Sequence, residues 1–239
     1  MKQLCTIVLV FLSSVIYSKD SFDFHYTSDY PKILALTKQD TSKLYFPVLF
    51  KRYEAGDSTL TDYEILALQI GYTDNDNYWP YQDIDLERKI WDLNERGKYK
   101  LAVKSCDKLL KSNPFNILAC REKWWALQEL KRFDESNIYL QKFFQIVKSD
   151  LATGDGTSYE SSWFVISPAD GQWLIRMVFK GTICFMGSGH DKDGNFHDIL
   201  GYKAKTEDGD KTKDEDCRHM FFNIEHASNR MFGKLLTKK

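Results

Sequence analysis

Apolar side chains recur at helical spacing through the first part of the chain. Residues 42–55 place leucine, valine and tyrosine three or four positions apart, which predicts an amphipathic helix. A second helix is predicted after Thr61 or Asp62, which are both good N-terminal caps, and it ends at Gly71. Further helical segments are predicted at residues 30–37 and 85–151.

After Thr153 the pattern changes to short apolar runs separated by turns rich in glycine and aspartate. Such runs predict strands, and an amphipathic segment between two of them predicts a helix that begins near Asp170 and ends at Gly181. The strands are expected at residues 163–166, 182–186, 196–205 and 217–224, with a closing helix at 227–236. The predicted fold class is therefore α+β: antiparallel helices over residues 19–151, with a small antiparallel β-rich module over residues 152–239 packed on them.

The helical part contains an internal repeat with a period of 34 residues, in which small, aromatic and apolar positions recur. The first copy has Gly97, Tyr99, Ala102, Cys106 and Leu109 where the second has Lys131, Phe133, Ser136, Leu140 and Phe143. This order, with Pro114 ending the first copy, resembles the tetratricopeptide repeat, a pair of antiparallel helices. The resemblance covers residues 85–151, as one sound repeat and one degenerate copy, and implies protein or peptide binding.

Residues 1–18 have the pattern of a secretory signal peptide. Lys2 supplies the positive end, residues 4–17 are uncharged and mostly apolar, and Ser18 is a small residue before the polar Lys19. The uncharged run is shorter than the roughly 20 residues that a membrane-spanning helix needs. We therefore expect residues 1–18 to be cleaved from an exported, periplasmic or secreted protein with no membrane span after cleavage. An uncleaved membrane anchor is the alternative.

Charge and cysteine content narrow the classes of function. The net charge of −1 provides no basic surface, so no nucleic-acid partner is expected. Four cysteines follow the predicted signal peptide, and in an oxidising compartment they permit two disulfides with three connectivities. Neighbouring helices favour a pair of Cys106 with Cys120, and neighbouring strands favour Cys184 with Cys217. The alternative is that each cysteine is a small buried apolar residue.

One wall of the predicted repeat pair has the composition of a peptide-binding groove. The candidate binding residues are Trp91, Asn94, Arg121, Trp125 and Gln128. Trp91 and Trp125 occupy equivalent positions of the two copies, as do Asn94 and Gln128, and equivalent positions of stacked repeats share a face. The alternative is that the aromatic loop at residues 78–81 or the β-rich module fills this groove and makes the tryptophans part of the core.

Other patterns in the C-terminal module do not meet the spacing of a known chemical site. Residues 154–157 lack the lysine of a phosphate-binding loop and follow a helix instead of preceding one. Asp191–Asn195 has its glycine too early for a calcium loop, so a hairpin turn is predicted there. The histidines after residue 189 lack the spacing of a zinc site with Cys184 and Cys217, and no nucleophile elbow is present. No catalytic residue, metal ligand or cofactor is therefore predicted.

Several short stretches are together similar to a family known only as a domain of unknown function in secreted proteins of Gram-negative bacteria. They are residues 57–61, 71–72, 78–81, 154–157, 198–200, 221–224 and the repeat from Gly97. The resemblance implies an exported protein of the cell envelope and supplies no catalytic residues. We expect a non-catalytic module that binds a protein or peptide, with no oligomeric state predicted. The alternative is an envelope hydrolase or metal-dependent enzyme with its site in residues 152–239.

Overall fold

The computed structural model describes residues 22–204 and 217–233, so the predicted signal peptide and the end of the predicted closing helix lie outside the described residues. The first helices are α1 (Tyr26–Thr37), α2 (Phe46–Glu54), α3 (Asp62–Thr73), α4 (Pro80–Glu95), α5 (Tyr99–Ser112), α6 (Ile117–Glu129) and α7 (Phe133–Ala152). They are followed by β1 (Trp163–Phe164), α8 (Pro168–Met177), β2 (Gly181–His190), β3 (Phe196–Ala204), β4 (Arg218–Asn223), α9 (Glu225–Ser228) and a π-helical turn (Asn229–Gly233). The predicted α+β class is confirmed.

The strands form one sheet in the order β1-β4-β3-β2. The pairs β2–β3 and β3–β4 are antiparallel as expected, but β1 runs parallel to β4, so the sheet is mixed. The reason is the connection: α8, β2 and β3 separate β1 from β4, and a long crossover allows parallel pairing that a tight hairpin does not.

Two helix starts show how local sequence sets the boundaries. Thr61 caps α3 in a capping box, since its hydroxyl accepts from the Glu64 amide and the Glu64 carboxylate accepts from the Thr61 amide. The cap of α8 is Ser167, because its hydroxyl accepts from the Ala169 amide at 3.2 Å. The Asp170 carboxylate completes the capping box by accepting from the Ser167 amide at 2.9 Å. The expected start of that helix at Asp170 is therefore three residues too late.

The turns after α4 and α6 lie at equivalent positions of the two repeat copies and have the same hydrogen-bonded geometry. The amide of Lys98 donates to the carbonyl of Leu93 and that of Gly97 to Asn94. The Arg132 and Lys131 amides make the equivalent bonds to residues 127 and 128. Both turns place one residue at positive φ, +67° at Gly97 and +59° at Lys131. Each is a Schellman motif, in which the chain leaves the helix through a left-handed residue.

One hydrophobic core joins the helices to the sheet. Tyr78, from the predicted aromatic loop, is fully buried and donates its hydroxyl to the Ile166 carbonyl at 2.5 Å. Its ring lies beside Tyr72 of α3 and His226 of α9. Phe164 of β1 also packs on His226, with ring centroids 4.6 Å apart. Residues from both parts of the chain therefore contribute to the same buried cluster.

A disulfide joins Cys184 of β2 to Cys217, just before β4. It passes over β3 at Gly201, where a Cβ would lie 2.6 Å from the Cys217 sulfur, so only glycine fits there. Cys184 is also the residue at which the β2–β3 register shifts, a bulge in the strand. Cys106 and Cys120 are buried free thiols, so the pairing expected for them is not formed. They belong to different apolar clusters, where each packs as a small apolar side chain.

In the part of the chain that the structure describes, no helix is both long and apolar enough to cross a bilayer.

Candidate functional site

The predicted groove brings its aromatic and guanidinium groups together, and α8 packs against its Trp91. The Arg121 guanidinium carbon lies 5.6 Å from the ring centres of both Trp91 and Trp125. Trp173 of α8 stacks on Trp91, with the two ring centres 5.4 Å apart. The Trp173 indole N–H donates to Glu87 at 2.8 Å, which fixes the ring in place. The C-terminal module therefore packs on the Trp91 part of the predicted groove.

The two amide side chains of the predicted groove are also used internally. Asn94 is buried, and its amide nitrogen donates to the Glu122 carbonyl at 2.9 Å and carboxylate at 2.6 Å. Gln128 donates to the Ser136 hydroxyl at 2.7 Å. Both amide donors are used within the protein, and Asn94 is the buried member of the set, while Trp91, Arg121, Trp125 and Gln128 stay partly exposed.

A different site lies at the end of the sheet, in a pocket of about 260 Å³. It is bordered by residues 24–28 at the start of α1, by Tyr159, Glu160 and Ser162, by Asn223 and by the turn between β2 and β3. The turn is rigid because the Asp191 carboxylate accepts from the amides of Asp193 and Asn195 at 2.9 and 2.8 Å. The Asn195 side chain donates to the Thr27 hydroxyl at 3.0 Å, which connects the turn to the N-terminal segment.

A serine and a histidine meet beside this pocket. The His197 Nε2 atom lies 3.1 Å from the Ser162 hydroxyl, and its Nδ1 atom lies 3.0 Å from the backbone carbonyl of Asn195. Because a carbonyl oxygen only accepts, Nδ1 carries the proton and Nε2 is left as an acceptor. The Ser162 hydroxyl therefore donates to His197. The Asn223 side-chain nitrogen is 3.3 Å from the same Nε2 atom.

The strand register places these groups. His197 of β3 is paired with Asn223 of β4, so their side chains share one face of the sheet. Ser162 directly precedes β1, which lies on the other side of β4. Tyr159 packs its ring edge-on against His197 at 5.2 Å and also lines the pocket.

Burial controls the protonation of His197. Its side chain is inaccessible to solvent, and this burial lowers the pKa of its imidazole below the ordinary value, although the bond to Asn195 and the charges of Asp191 and Glu225 oppose the shift. At neutral pH the ring is therefore uncharged. Hydrogen-bonded to a hydroxyl and held in one tautomer, it has the properties of a general base.

Local sequence patterns did not identify Ser162, His197 or Asn223 as a group. His197 was visible only as one of several histidines in the C-terminal module. The three side chains come from separate segments and meet only through the pairing of β3 with β4 and of β1 with β4. Among residues 22–204 and 217–233, no cluster of three or more His, Cys, Asp or Glu is placed to hold a metal ion.

The outer edge of the sheet is the long strand β2. Between Thr182 and Gly189 it carries no charged residue and no proline, and the side chains of Phe185 and Met186 are 46% and 60% exposed. Exposed edge strands are usually protected by charges, prolines or bulges. Here the bulge at Cys184 interrupts the strand, while the stretch from Phe185 to His190 pairs regularly with β3.

Comparison with known proteins gives a family but no function. No curated protein and no solved structure matches the chain. Residues 31–230 match the family model described as "Domain of unknown function (DUF4919)". This match covers both the helices and the sheet, including Ser162, His197 and Asn223. The chain therefore belongs to the DUF4919 family of domains of unknown function.

Proposed function

We propose that the protein is an exported component of the cell envelope that binds an extended polypeptide segment along the edge of β2. The observation that carries the proposal is the uncharged, exposed edge from Phe185 to Gly189. An edge strand presents backbone N–H and C=O groups, and an added strand satisfies them by main-chain hydrogen bonds. The partner is therefore an extended segment with apolar side chains that can contact Phe185 and Met186.

The edge of β2 is a better binding surface than the predicted tetratricopeptide-like groove. In the groove, Trp173 covers Trp91, and Asn94 and Gln128 are hydrogen-bonded within the protein. A ligand there would have to share Trp91 with α8 and would find no free amide donor on Asn94. Binding at β2 requires no rearrangement, because no other strand of the described chain pairs with its outer edge.

Two features support export. Residues 1–18 have the sequence pattern of a cleaved signal peptide. The Cys184–Cys217 disulfide is of a kind that persists in the periplasm or outside the cell and is rare in the reducing cytosol. Expression of the full chain, including residues 1–18, followed by cell fractionation and N-terminal sequencing, tests this part of the proposal. A cytosolic product that retains Met1 would contradict it.

The binding site is tested with linear peptides selected from a displayed library on the exported protein. We expect Met186→Lys to weaken the selected peptides at least about tenfold, because lysine on an edge strand opposes pairing. The matched control is Leu101→Lys on α5, where the native side chain is similarly exposed, at 54%. Affinities are measured by fluorescence anisotropy, and hydrogen exchange locates the protected amides.

The result also discriminates between the two surfaces. Protection of amides in residues 185–190 with loss of binding in Met186→Lys supports the edge of β2. Loss of binding in Trp125→Ala, with Met186→Lys unaffected, would instead locate the site on the helical wall and contradict the proposal.

A further inference from the structure

We propose that Ser162 and His197 are the catalytic pair of a serine hydrolase that acts on small carboxylic esters in the pocket at the end of the sheet. The pair meets the geometric requirement for an activated nucleophile, a hydroxyl hydrogen-bonded to a base that is itself oriented by a third group. The orienting group is the Asn195 carbonyl. This activity goes beyond the proposed peptide binding and uses different residues.

The single lone pair of Nε2 has two donors within reach, the Ser162 hydroxyl at 3.1 Å and the Asn223 amide at 3.3 Å. The shorter contact is to Ser162, so this hydroxyl is the group hydrogen-bonded to the base. Ser162 and Asn223 both line the pocket, whereas His197 is behind them and closed to solvent. A nucleophile that faces a cavity, with its base behind it, is the arrangement expected of a reactive serine.

The reaction follows from these positions. The Ser162 oxygen attacks the ester carbonyl carbon as its proton passes to Nε2 of His197, and the C–O bond to the alcohol then breaks. The departing alkoxide takes that proton and leaves as the alcohol. Water attacks the resulting acyl-serine, giving its proton to Nε2, and the serine oxygen recovers this proton when the carboxylic acid is released. Atoms balance with one water consumed for each ester.

Two features define the substrate class. The Asn223 side chain is held by the Glu225 amide, which donates to its Oδ1 at 3.2 Å, and its NH2 group has a second hydrogen that can be donated to the carbonyl oxygen as it becomes negative. The pocket volume of about 260 Å³ is below that of typical sites for drug-sized ligands, so the acyl group is short. Tyr26 and Tyr159 provide aromatic surface at its border.

The experiment uses the full chain after export, with p-nitrophenyl acetate as substrate and a fluorophosphonate as the active-site probe. We expect time-dependent ester hydrolysis and covalent labelling that mass spectrometry locates on Ser162. Ser162→Ala should lower the hydrolysis rate at least about 100-fold. Ser161→Ala is the matched control, because the adjacent Ser161 hydroxyl bonds to Asp155 and does not contact His197.

The pH profile tests the base separately from folding. Because burial lowers the pKa of His197, the rate should fall at a more acidic pH than the ordinary histidine pKa of about 6.5 would give. Circular dichroism verifies that the Ser162→Ala protein is folded. The proposal is overturned if the wild-type protein neither hydrolyses the ester nor is labelled, or if Ser162→Ala retains the wild-type rate. Peptide binding at β2 is assayed independently with Met186→Lys, and Leu101→Lys on the exposed face of α5 should keep full esterase activity.

Discussion

The helical part and the sheet each carry a cluster of aromatic and polar side chains, but the two clusters differ in how their polar atoms are used. On the helical wall, the Asn94 amide is bonded to Glu122, and Trp91 is covered by Trp173. In the sheet pocket, Ser162 and Asn223 are 8% and 3% exposed and border a cavity. The residue types are those of a binding site in both places. The wall offers a partly exposed surface whose amide donors are used internally, whereas the pocket places a hydroxyl and an amide beside an enclosed space that a small ligand could fill.

The test with the largest expected effect is the removal of the Trp173 side chain. Trp173→Ala is expected to lower the free energy of unfolding by about 3–5 kcal/mol, because a buried ring is replaced by a cavity. It also removes the indole donor to the buried Glu87 and uncovers Trp91. Chemical denaturation measures the stability, and tryptophan fluorescence reports the exposure of Trp91.

Trp173→Phe is the matched control, since it keeps most of the ring and loses the hydrogen bond to Glu87. We expect it to cost about 1–2 kcal/mol. If Trp173→Ala instead left the free energy of unfolding unchanged, the packing of α8 on Trp91 would not stabilise the protein. The difference drawn between the helical wall and the sheet pocket would then fail.

The sequence predicted the helices well because their boundaries are set by local chemistry. Thr61, one of the two predicted caps, forms the capped start together with Glu64. The parallel position of β1 was not predictable, because it depends on pairing with a strand far along the chain. The Ser162–His197 contact has the same long-range origin. The sequence suggested a groove on the helical wall, but it could not show that α8 would pack on its Trp91.

The second test concerns the cysteines, which are bonded in the sheet and free in the helices. Replacing Cys184 and Cys217 together by alanine should cost about 2–4 kcal/mol, since the bond closes a loop with a sequence separation of 33 residues and restricts the unfolded chain. A reducing agent should lower the melting temperature of the wild-type protein by an amount that corresponds to the same loss of about 2–4 kcal/mol. It should leave the double variant unchanged, because Cys106 and Cys120 are not bonded. A shift in the double variant would mean that another disulfide forms.

The third test addresses the seam between the two parts, where His226 is fully enclosed. Its ring stacks on Phe164 and lies near the rings of Tyr26, Tyr30 and Tyr78, all uncharged near neutral pH. Neither ring nitrogen makes a hydrogen bond to the described residues. Burial lowers the pKa of His226 to about 3, although the Val165 backbone opposes the shift.

A lowered pKa means that the folded protein binds this proton less readily than the unfolded chain. The contribution of His226 to stability is therefore complete above the unfolded pKa of about 6.5 and is lost as the pH falls from 6.5 toward 3. His226→Phe should remove this loss, so its stability relative to the wild-type protein should rise by roughly 2 kcal/mol between pH 7 and pH 5. Denaturation of both proteins across this range measures the difference. Parallel curves would show that the histidine reaches solvent.

The smallest expected effect lies within the helical part, between its two equivalent turns. Gly97 and Lys131 both adopt positive φ, at +67° and +59°, but only glycine does so without a steric cost. For a residue with a side chain, the left-handed conformation costs roughly 1–2 kcal/mol. Glycine in turn loses more conformational entropy on folding, and this loss cancels about 0.5–1 kcal/mol of the steric advantage that glycine has at positive φ.

Lys131→Gly should therefore stabilise the protein by about 0.5–1 kcal/mol, and Gly97→Lys should destabilise it by a similar amount. The two substitutions exchange the residues of equivalent turns. Equal and opposite changes in the free energy of unfolding would show that the two turns have the same geometry and that the second is destabilised only by the backbone strain at Lys131. If Lys131→Gly gave no gain in stability, some interaction of the lysine side chain would have to offset the steric cost of its left-handed backbone. Lys131→Ala separates these explanations, because alanine keeps the strained backbone and removes the amine, and it should match the wild-type stability if strain alone is responsible.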